Sequence, residues 1–293
     1  MQDLKRKRSL DGKRIAAACL CLLMAVQLLG CGAAPEQAET AASAENLPEP
    51  LISITTADQN TDAAGAVEIL LEEQKDICRI TQAGTYLLSG TMSGTVQVDA
   101  EEQIVHLILN NVTVESLGGL ALQVLSAGKV ILTLQDGSVN TFQDSGAYAD
   151  NTEADACIYS ECDLTINGSG ELNVHGYYKD AVHTKDVLKV LGGSLFIQSK
   201  RDGLRGNDGI VLSCTGSTVQ SERNGLYTTK TGKPGKGNLE ILGGDHSVIG
   251  GEYAVSCAAD LHAQDCSLYL MGVVGDLEVK GQRYAEEGIL PDE

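Results

Sequence analysis

Basic residues are scarce in this sequence of 293 residues. It holds 21 lysines and arginines against 40 aspartates and glutamates, so its formal net charge at pH 7 is −19. Nucleic-acid binding requires a positively charged surface, and the composition therefore argues against it. The same charge argues against direct attraction to an acidic polymer, so we expect a divalent cation to bridge any such ligand.

Aromatic residues are also few, and the motifs of several functional classes are missing. There is no tryptophan, and there are two phenylalanines and nine tyrosines. None of the five histidines has the Cys/His spacing of a zinc site. The segment Gly232-Lys-Pro-Gly-Lys-Gly has neither the spacing nor the following helix of a phosphate-binding loop. The sequence signatures of polygalacturonases are absent as well.

A long apolar run, Ile15–Leu29, follows a basic segment near the start of the chain. Its 15 residues are too few for a comfortable membrane span and are typical of a signal peptide. The run ends in Leu28-Leu29-Gly30-Cys31, which resembles the bacterial lipobox. That resemblance implies cleavage before Cys31 and acylation of its thiol, which would hold the protein on the outer face of a membrane. The alternative is an ordinary secretory signal with an incidental cysteine.

Three segments follow from composition. Residues 1–30 are predicted to be a lipoprotein signal peptide, and residues 31–50 a flexible acidic linker that begins with the lipidated Cys31. Residues 51–293 are long enough for one large all-β domain. Within it, apolar residues at helix-like spacing predict a short helix over 62–74 that could cover an open sheet edge.

A repeat of about 22 residues organises the chain from residue 155 to about residue 270. Each copy begins with a short polar–small–apolar start and continues through two apolar runs joined by a glycine-centred turn. The starts lie at Asp155, Asp180, Asp202, Asn224 and Tyr253. Such a repeat predicts a parallel β-helix, because one copy cannot bury its apolar side chains alone and stacked copies share one interior. Leucine-rich repeats need regularly spaced leucines and a helical half, which are absent here.

An acidic column follows from the shared phase of these starts. In a stack, Asp155, Asp180 and Asp202 would lie about 4.8 Å apart, and their charges would repel unless they were neutralised. Calcium is one solution, since it takes roughly six to eight oxygen ligands. Another is neutralisation by interleaved basic residues, namely Lys179, Lys185, Arg201 and Arg205. A third interpretation is that Asp and Asn suit the turn by accepting local backbone hydrogen bonds. The predicted calcium ligands, the first four of them in an acidic loop over 141–155, are Asp144, Asp150, Glu153, Asp155, Asp180 and Asp202.

The lipobox, the linker and the repeat starts together resemble one protein family. The starts Asp180-Ala-Val-His and Asp202-Gly-Leu-Arg, followed by strands that end in Gly-Gly, are similar to those of clostridial-type carbohydrate-binding surface lipoproteins. The resemblance covers about residues 83–272. It implies a right-handed, single-stranded parallel β-helix that contains calcium, resembles pectate lyases in fold, and binds cellulose and polygalacturonate. This chain departs from the pattern at Asn224, at Tyr253 and in a basic, glycine-rich insertion over 228–237.

Candidate ligand-binding residues lie near the repeat starts. Because tryptophan is absent, tyrosines are the available rings that could stack on sugars while their hydroxyl groups form hydrogen bonds, although they could equally pack at corners. The lysines of 228–237 could contact a uronate carboxylate or could belong to a mere linker. The predicted ligand-binding set is Tyr148, Tyr177, Tyr178, His183, Arg205 and Tyr227.

We expect a polysaccharide-binding protein rather than an enzyme, with no catalytic residues. Hydrolysis of a glycoside needs two carboxylates placed across a bond, and β-elimination needs calcium-bound substrate and a basic side chain. Arg201, Arg205 and Arg223 lie near a position in the repeat that would suit such a base. A pectate-lyase-like enzyme is therefore the first alternative, and a non-carbohydrate adhesin or spacer is the second. The expected partners are a plant cell-wall polysaccharide and a membrane, without nucleic acid, and we expect a monomer.

Cysteine usage leaves two possibilities open. An even number of cysteines in an exported domain permits disulfides, but cysteines within strands also serve as small apolar side chains. The six cysteines beyond the linker are Cys78, Cys157, Cys162, Cys214, Cys257 and Cys266.

Overall fold

The computed structural model describes residues 49–148 and 154–291. The predicted signal peptide, Cys31, nearly all of the linker, and two predicted calcium ligands, Asp150 and Glu153, lie outside the described residues. No helix in the part of the chain that is described is long and apolar enough to cross a membrane.

The described residues form two sheets and one short 3₁₀ helix, Leu71–Glu73. The first sheet consists of β1 (Val67–Leu70), β3 (Gly84–Met92), β5 (Ile104–Glu115), β7 (Lys129–Leu134), β8 (Val139–Gln143), β10 (Leu164–Gly168), β11 (Glu171–Gly176), β13 (Val187–Val190), β14 (Ser194–Ser199), β16 (Gly209–Leu212), β17 (Gly216–Ser221), β19 (Asn238–Gly250), β21 (Leu261–Gly272) and β23 (Arg283–Ala285). The second consists of β2 (Ile77–Ile80), β4 (Thr95–Asp99), β6 (Leu122–Ser126), β9 (Ala156–Ser160), β12 (Asp180–Thr184), β15 (Leu204–Gly206), β18 (Leu226–Thr228), β20 (Tyr253–Cys257) and β22 (Gly275–Val279).

Strand pairing is parallel and follows the predicted repeat. In the second sheet Val182 pairs with Leu204, and Leu204 pairs with Leu226, so the register advances by one 22-residue repeat at each step. This confirms that the protein is all-β and that successive repeats lie side by side.

The prediction of a right-handed, single-stranded parallel β-helix is wrong. Hydrogen bonding in the first sheet runs β5-β7-β10-β13-β16-β19-β17-β14-β11-β8 and then returns from β8 to β5. These ten strands form a closed parallel β-barrel, and the remaining strands lie outside it. Closure leaves the barrel itself without a free edge.

Two long strands close the ring. The first half of β5 pairs with β7 and its second half with β8, while β19 pairs with β16 and then with β17. Both strands continue through a bend in the left-handed region, with φ of 55° at Asn111, 105° at Gly243 and 90° at Gly244. The predicted reading of such Gly-Gly pairs as turns between short strands is wrong at Gly243-Gly244, which continues β19, and the closure depends on this continuation.

The bend at Asn110-Asn111 also carries a contact between repeats. The side-chain Oδ1 of Asn111 accepts a hydrogen bond of 3.1 Å from the backbone N–H of Val139. The backbone N–H of Val112 donates in turn to Oδ1 of Asn140 at 3.0 Å. These amides tie one repeat to the next and satisfy backbone donors that the bend would otherwise leave unpaired.

An apolar interior fills the barrel. Val130, Leu164, Leu188, Ile210 and Leu239 lie in register on neighbouring strands and are fully buried. Each repeat therefore contributes inward side chains to one continuous core.

The strap, residues 51–60, covers the opposite face of these strands. Its Asp58 is fully buried and accepts hydrogen bonds from Lys129 at 2.5 Å and from Lys189 at 3.0 Å. The backbone N–H groups of Leu51 and Ile52 donate to the buried carboxylate of Glu240. Strands β7 and β16 are consequently buried on both faces, and β16 reads Gly-Ile-Val-Leu without a polar side chain.

Two further expectations have definite outcomes. The predicted helix over 62–74 is wrong, because Val67–Leu70 pairs with β3 and the 3₁₀ turn occupies only Leu71–Glu73. The six cysteines beyond the linker are free thiols, five of them buried, so they serve as small core side chains.

Candidate functional site

The acidic column forms a corner at which each repeat enters the second sheet. Asp180 and Asp202 are fully buried. Oδ1 of Asp180 accepts a hydrogen bond of 2.9 Å from the backbone N–H of Asp202, and Oδ1 of Asp202 accepts one of 3.2 Å from the N–H of Asn224. The predicted turn role of these residues is therefore present, since each carboxylate satisfies a backbone donor of the following repeat.

Arginines neutralise the column. The guanidinium of Arg201 donates to both carboxylate oxygens of Asp180, at 2.6 and 2.5 Å, and also contacts Asp155. Arg223 binds both oxygens of Asp202 in the same bidentate manner. Arg205 lies within 3.4 Å of Asp180 and donates to Asn207 at 3.2 Å. Bidentate Arg–carboxylate pairs are among the strongest hydrogen-bonded ion pairs.

The electrostatics of the corner reflect these pairs. Burial raises the pKa of Asp155, but hydrogen bonds from His183 and Arg201 outweigh it and hold that pKa well below its usual range. Burial and the neighbouring charge of Asp180 raise the pKa of Asp202, while Arg223 acts in the opposite direction. The pKa of Arg201 is raised, because its two carboxylate partners outweigh the effect of burial.

The potential metal ligands of this corner are Asp155, Asp180 and His183, whose donor atoms all lie within 4.8 Å of one another. Nδ1 of His183 donates to Asp155 at 2.6 Å, and Arg201 bridges the carboxylates of Asp155 and Asp180. The space that a cation would need between the carboxylates thus holds a guanidinium group. These residues do not fit calcium in this arrangement, and calcium binding stays a prediction.

Asp144 lies apart from the column and has a different role. Its buried carboxylate accepts hydrogen bonds from the hydroxyl of Tyr148 at 3.0 Å and from the backbone N–H groups of Gly146, Tyr177 and Tyr178. Burial raises the pKa of Asp144 above its ordinary value, although these hydrogen bonds act in the opposite direction. Four donors already engage its oxygens, so this residue fixes the loop onto the following repeat.

A row of functional side chains crosses the second sheet beside the corner. Tyr159, His183, Arg205 and Tyr227 are in register on β9, β12, β15 and β18. The ring of Tyr227 lies between two guanidinium groups, with its centroid 5.7 Å from Cζ of Arg205 and 5.0 Å from Cζ of Arg223. We call Arg201, Arg205, Arg223 and Tyr227 the arginine–tyrosine cluster.

The other predicted tyrosines are divided between two places. Tyr148 and Tyr178 stack with centroids 4.2 Å apart, and the ammonium of Lys179 lies 4.8 Å from the centroid of Tyr178. The hydroxyl of Tyr148 is used internally, so this ring packs at a corner. Tyr177 is 46% exposed and stacks on His175 of the first sheet, away from the arginine–tyrosine cluster.

Each arginine of the cluster keeps part of its hydrogen-bonding capacity. Nη1 of Arg201, Nη2 of Arg205 and Nη1 of Arg223 donate no hydrogen bond within residues 49–148 and 154–291. The three side chains are 24%, 18% and 33% exposed. The cluster therefore presents a line of available N–H donors beside an aromatic ring.

The basic insertion over 228–237 folds back onto the protein. Lys230 and Lys236 both form ion pairs with Asp208, whose side chain is 5% exposed. Of the three lysines that were considered for contact with a uronate, two are thus engaged within the protein.

Of the six predicted ligand-binding residues, His183, Arg205 and Tyr227 share one row, whereas Tyr148, Tyr177 and Tyr178 lie elsewhere, and the binding role of all six stays a prediction. Arg201 and Arg223 were not among the predicted ligand-binding residues. A signal for both was present. A basic residue directly precedes three successive repeat starts, in Lys179-Asp180, Arg201-Asp202 and Arg223-Asn224.

Comparison with known proteins agrees with a carbohydrate-related role. A solved structure described as a polysaccharide lyase-like protein from C. thermocellum, in a gadolinium derivative, superimposes with a TM-score of 0.72 over 77% of this chain and 98% of that one. The sequence identity is 24%, so this likeness concerns the fold. A carbohydrate-binding domain-containing protein of Acetivibrio thermocellus is 30% identical over 148 residues, which are 48% of this chain and 51% of that protein. The chain thus spans about half the length of this relative.

The family match is broader. Carbohydrate-binding domain-containing proteins match residues 74–289, which include all the strands from β2 to β23 and the whole arginine–tyrosine cluster. The chain belongs to the family of carbohydrate-binding domain-containing proteins.

Proposed function

We propose that the chain binds an acidic polysaccharide of the polygalacturonate type at the arginine–tyrosine cluster. The observation that carries this proposal is the line of unused guanidinium nitrogens on Arg201, Arg205 and Arg223. A guanidinium is planar and always charged, and its paired N–H groups match the oxygens of a carboxylate. A uronate is the sugar that offers such a carboxylate.

The local charge supports direct contact with an acidic ligand. The charges of the three arginines balance those of Asp155, Asp180 and Asp202, so these six side chains carry no net negative charge. The protein as a whole has a net charge of −19. Charges beyond about 10 Å are largely screened at ordinary ionic strength, so the local balance decides the contact.

The row geometry suits a linear polymer. Arg205 and Tyr227 lie on neighbouring strands about 4.8 Å apart, in the row that begins at the buried His183, so the accessible part of the row runs straight across the sheet. The ring of Tyr227 holds the guanidinium groups of Arg205 and Arg223, and these groups offer donors to hydroxyl and carboxylate oxygens.

Binding without catalysis is the function that the site supports best. Asp155 and His183 form a hydrogen-bonded pair of the kind that can act as a base, which makes a lyase the second candidate. However, Nε2 of His183 is buried and has no partner among the described residues. A base must reach the proton that it removes, and this nitrogen does not contact the surface.

Two finer expectations from the sequence stay untested. Calcium assistance, which direct contact with the arginines does not require, would be detected as loss of binding in EDTA, and acylation of Cys31 as a mass increase that disappears in Cys31→Ala. Attachment to the cell surface depends on the second of these.

Affinity electrophoresis in gels that contain polygalacturonate tests the proposal, with the soluble form that begins at Gly32. We expect retardation of the wild type, and loss of about tenfold in affinity for Arg205→Gln and for Tyr227→Ala. Lys75→Gln, at an exposed cation outside the strands, is the control and should bind like the wild type. Absence of retardation, or equal retardation of all variants, would overturn the proposal. Release of unsaturated uronate products would instead favour the lyase.

A further inference from the structure

A second open surface lies on the first sheet, away from the arginine–tyrosine cluster. It is built by β8, β11, β14, β17 and the second halves of β19 and β21. We call it the uncharged face, and two rows of side chains in register define it. The middle row is Thr141, Asn173, Phe196, Thr218, Ser247 and Tyr269. The outer row is Gln143, His175, Gln198, Gln220, Ile249 and Met271.

Alternation along the strands exposes these rows. The residues between the two rows, such as Val174, Ile197 and Val219, are fully buried in the barrel. The members of both rows are at least partly accessible to solvent. The strap covers the comparable face of β7, β10, β13 and β16, whereas no described segment covers this one.

The composition of the face is unusual for this protein. Neither row contains a charged residue, although charged residues make up 21% of the chain. Acidic side chains, Glu171 and Asp245, lie in the row on its other border. An anionic ligand would meet repulsion here without any basic partner, so the charges favour an uncharged occupant.

Aromatic rings are concentrated at the two ends of the face. His175 stacks on Tyr177 with centroids 5.9 Å apart, and its ring meets the edge of Phe196 at 6.1 Å. Tyr269, which is 58% exposed, lies on the strand at the far end. The strands β11 and β21 are four strand spacings apart, or about 19 Å. An extended ligand of several sugar units could contact both ends.

Amide side chains occupy the space between these rings. Gln198 and Gln220 are neighbours on β14 and β17, and Nδ1 of His175 lies 3.1 Å from Oε1 of Gln198. A primary amide both donates and accepts hydrogen bonds, as a sugar hydroxyl does. This pairing of amides with aromatic rings is suited to a hydroxyl-rich molecule without charge.

Two shallow depressions flank the middle row. One, of 320 Å³, is lined by Tyr177, Gln198 and Gln220 and by the mutually neutralising pair Lys200 and Glu222. The other, of 470 Å³, is lined by Thr218, Ser247 and Tyr269, with Asp245 at its border row, and lies where Gly216 contributes no side chain. Sites of this size accommodate individual sugar-sized groups.

We propose that the uncharged face binds an uncharged glycan chain, at a site separate from the arginine–tyrosine cluster. Family membership supplies the class of ligand, and the absence of charge selects a neutral member of that class. The protein would then be bivalent, with one surface for an acidic chain and another for a neutral one. The two surfaces share no residue, so they can be tested independently.

The test is affinity electrophoresis of the soluble form in three gels that contain hydroxyethyl cellulose, xyloglucan or galactan, with polygalacturonate as a fourth. We expect retardation by at least one neutral polymer. Tyr269→Ala and Gln220→Glu should each weaken it about tenfold while leaving polygalacturonate binding unchanged. Arg205→Gln should show the reverse pattern. The matched control is Tyr284→Ala, which removes a partly exposed tyrosine of β23 outside the face.

Three results would overturn this inference. The first is absence of retardation by all three neutral polymers, whatever the result with polygalacturonate. The second is neutral-polymer binding that Tyr269→Ala and Gln220→Glu leave intact. The third is a dimer in size-exclusion chromatography with light scattering that Tyr269→Ala dissociates, because a second copy of the chain would then be the occupant of the face.

Discussion

At the scale of single residues, the aspartates of the repeat starts combine two roles. Asp202 accepts a hydrogen bond from the backbone N–H of Asn224 and at the same time accepts hydrogen bonds from Nε and Nη2 of Arg223. A fully buried carboxylate is costly unless it is paired and hydrogen-bonded, and this one is both. The position that holds the fold therefore also orients an arginine of the proposed binding site.

Removal of one partner of this pair should destabilise the protein strongly. Arg223→Gln leaves the carboxylate of Asp202 buried without its counter-charge, and we expect the free energy of unfolding to fall by about 3 kcal/mol. Adding Asp202→Asn to Arg223→Gln removes the unpaired buried charge, and the new amide oxygen can still accept a hydrogen bond from the backbone N–H of Asn224. The double variant should therefore lose less stability than Arg223→Gln alone, as measured by urea unfolding.

The control for this cycle is an exposed pair. Lys200 and Glu222 form an ion pair whose side chains are 54% and 61% exposed. Lys200→Gln should cost less than about 1 kcal/mol, because exposed pairs contribute little. Equal effects of Arg223→Gln and Lys200→Gln would contradict the account of the buried pair.

At the scale of elements, the strap neutralises buried charges, a role that the strand pattern of the sequence did not indicate. Its residues carry no apolar period, but Asp58 supplies the charge for two lysines that would otherwise be buried alone. Burial raises the pKa of Asp58, but hydrogen bonds from Lys129, Thr55, Thr165 and Lys189 outweigh it and lower that pKa well below its usual range.

The strap therefore predicts a dependence on pH. Folding lowers the pKa of Asp58 from an ordinary value near 3.9, so its contribution to stability is complete above about pH 5 and declines as the pH falls. Asp58→Asn should cost about 3 kcal/mol at neutral pH, and its difference from the wild type should narrow below about pH 4. Urea unfolding between about pH 3 and pH 7 measures the loss at neutral pH and its decrease at low pH. Asp136→Asn, at an exposed carboxylate, is the control. A difference that stays constant with pH would contradict the assignment.

Much of the element pattern could be predicted from the sequence. The repeat spacing gave parallel pairing and a 22-residue step, and the phase of the repeat starts placed Asp155, Asp180 and Asp202 at one corner. The closed barrel could not be read in this way. It depends on whether a strand continues through a bend, and local composition is ambiguous there, since Gly243-Gly244 continues β19 although Gly192-Gly193 separates β13 from β14.

The site was predicted in part for a related reason. Period and spacing locate residues along a strand, and three of the six predicted ligand-binding residues, His183, Arg205 and Tyr227, do share one row. They do not show which side chains pair across repeats. Arg201 reaches Asp155, which is 46 residues earlier in the chain, and only the folded structure brings the two together.

At the scale of the whole molecule, the local charge differs from one surface to another. Total charge alone suggested that an acidic ligand would need a bridging cation. The structure instead gathers three arginines at one corner and leaves another face without charge, on a chain whose net charge is −19. Under the two proposals, local arrangement rather than composition would determine which glycan each surface accepts.

The most direct measurement of the central claim is a crystal structure of the soluble form with a short oligogalacturonate, soaked once with calcium and once with EDTA. The account predicts sugar density in both crystals, with a uronate carboxylate on Nη2 of Arg205 or Nη1 of Arg223 and a sugar ring beside Tyr227. Density that appears only with calcium, or that lies away from the arginine–tyrosine cluster, would contradict it.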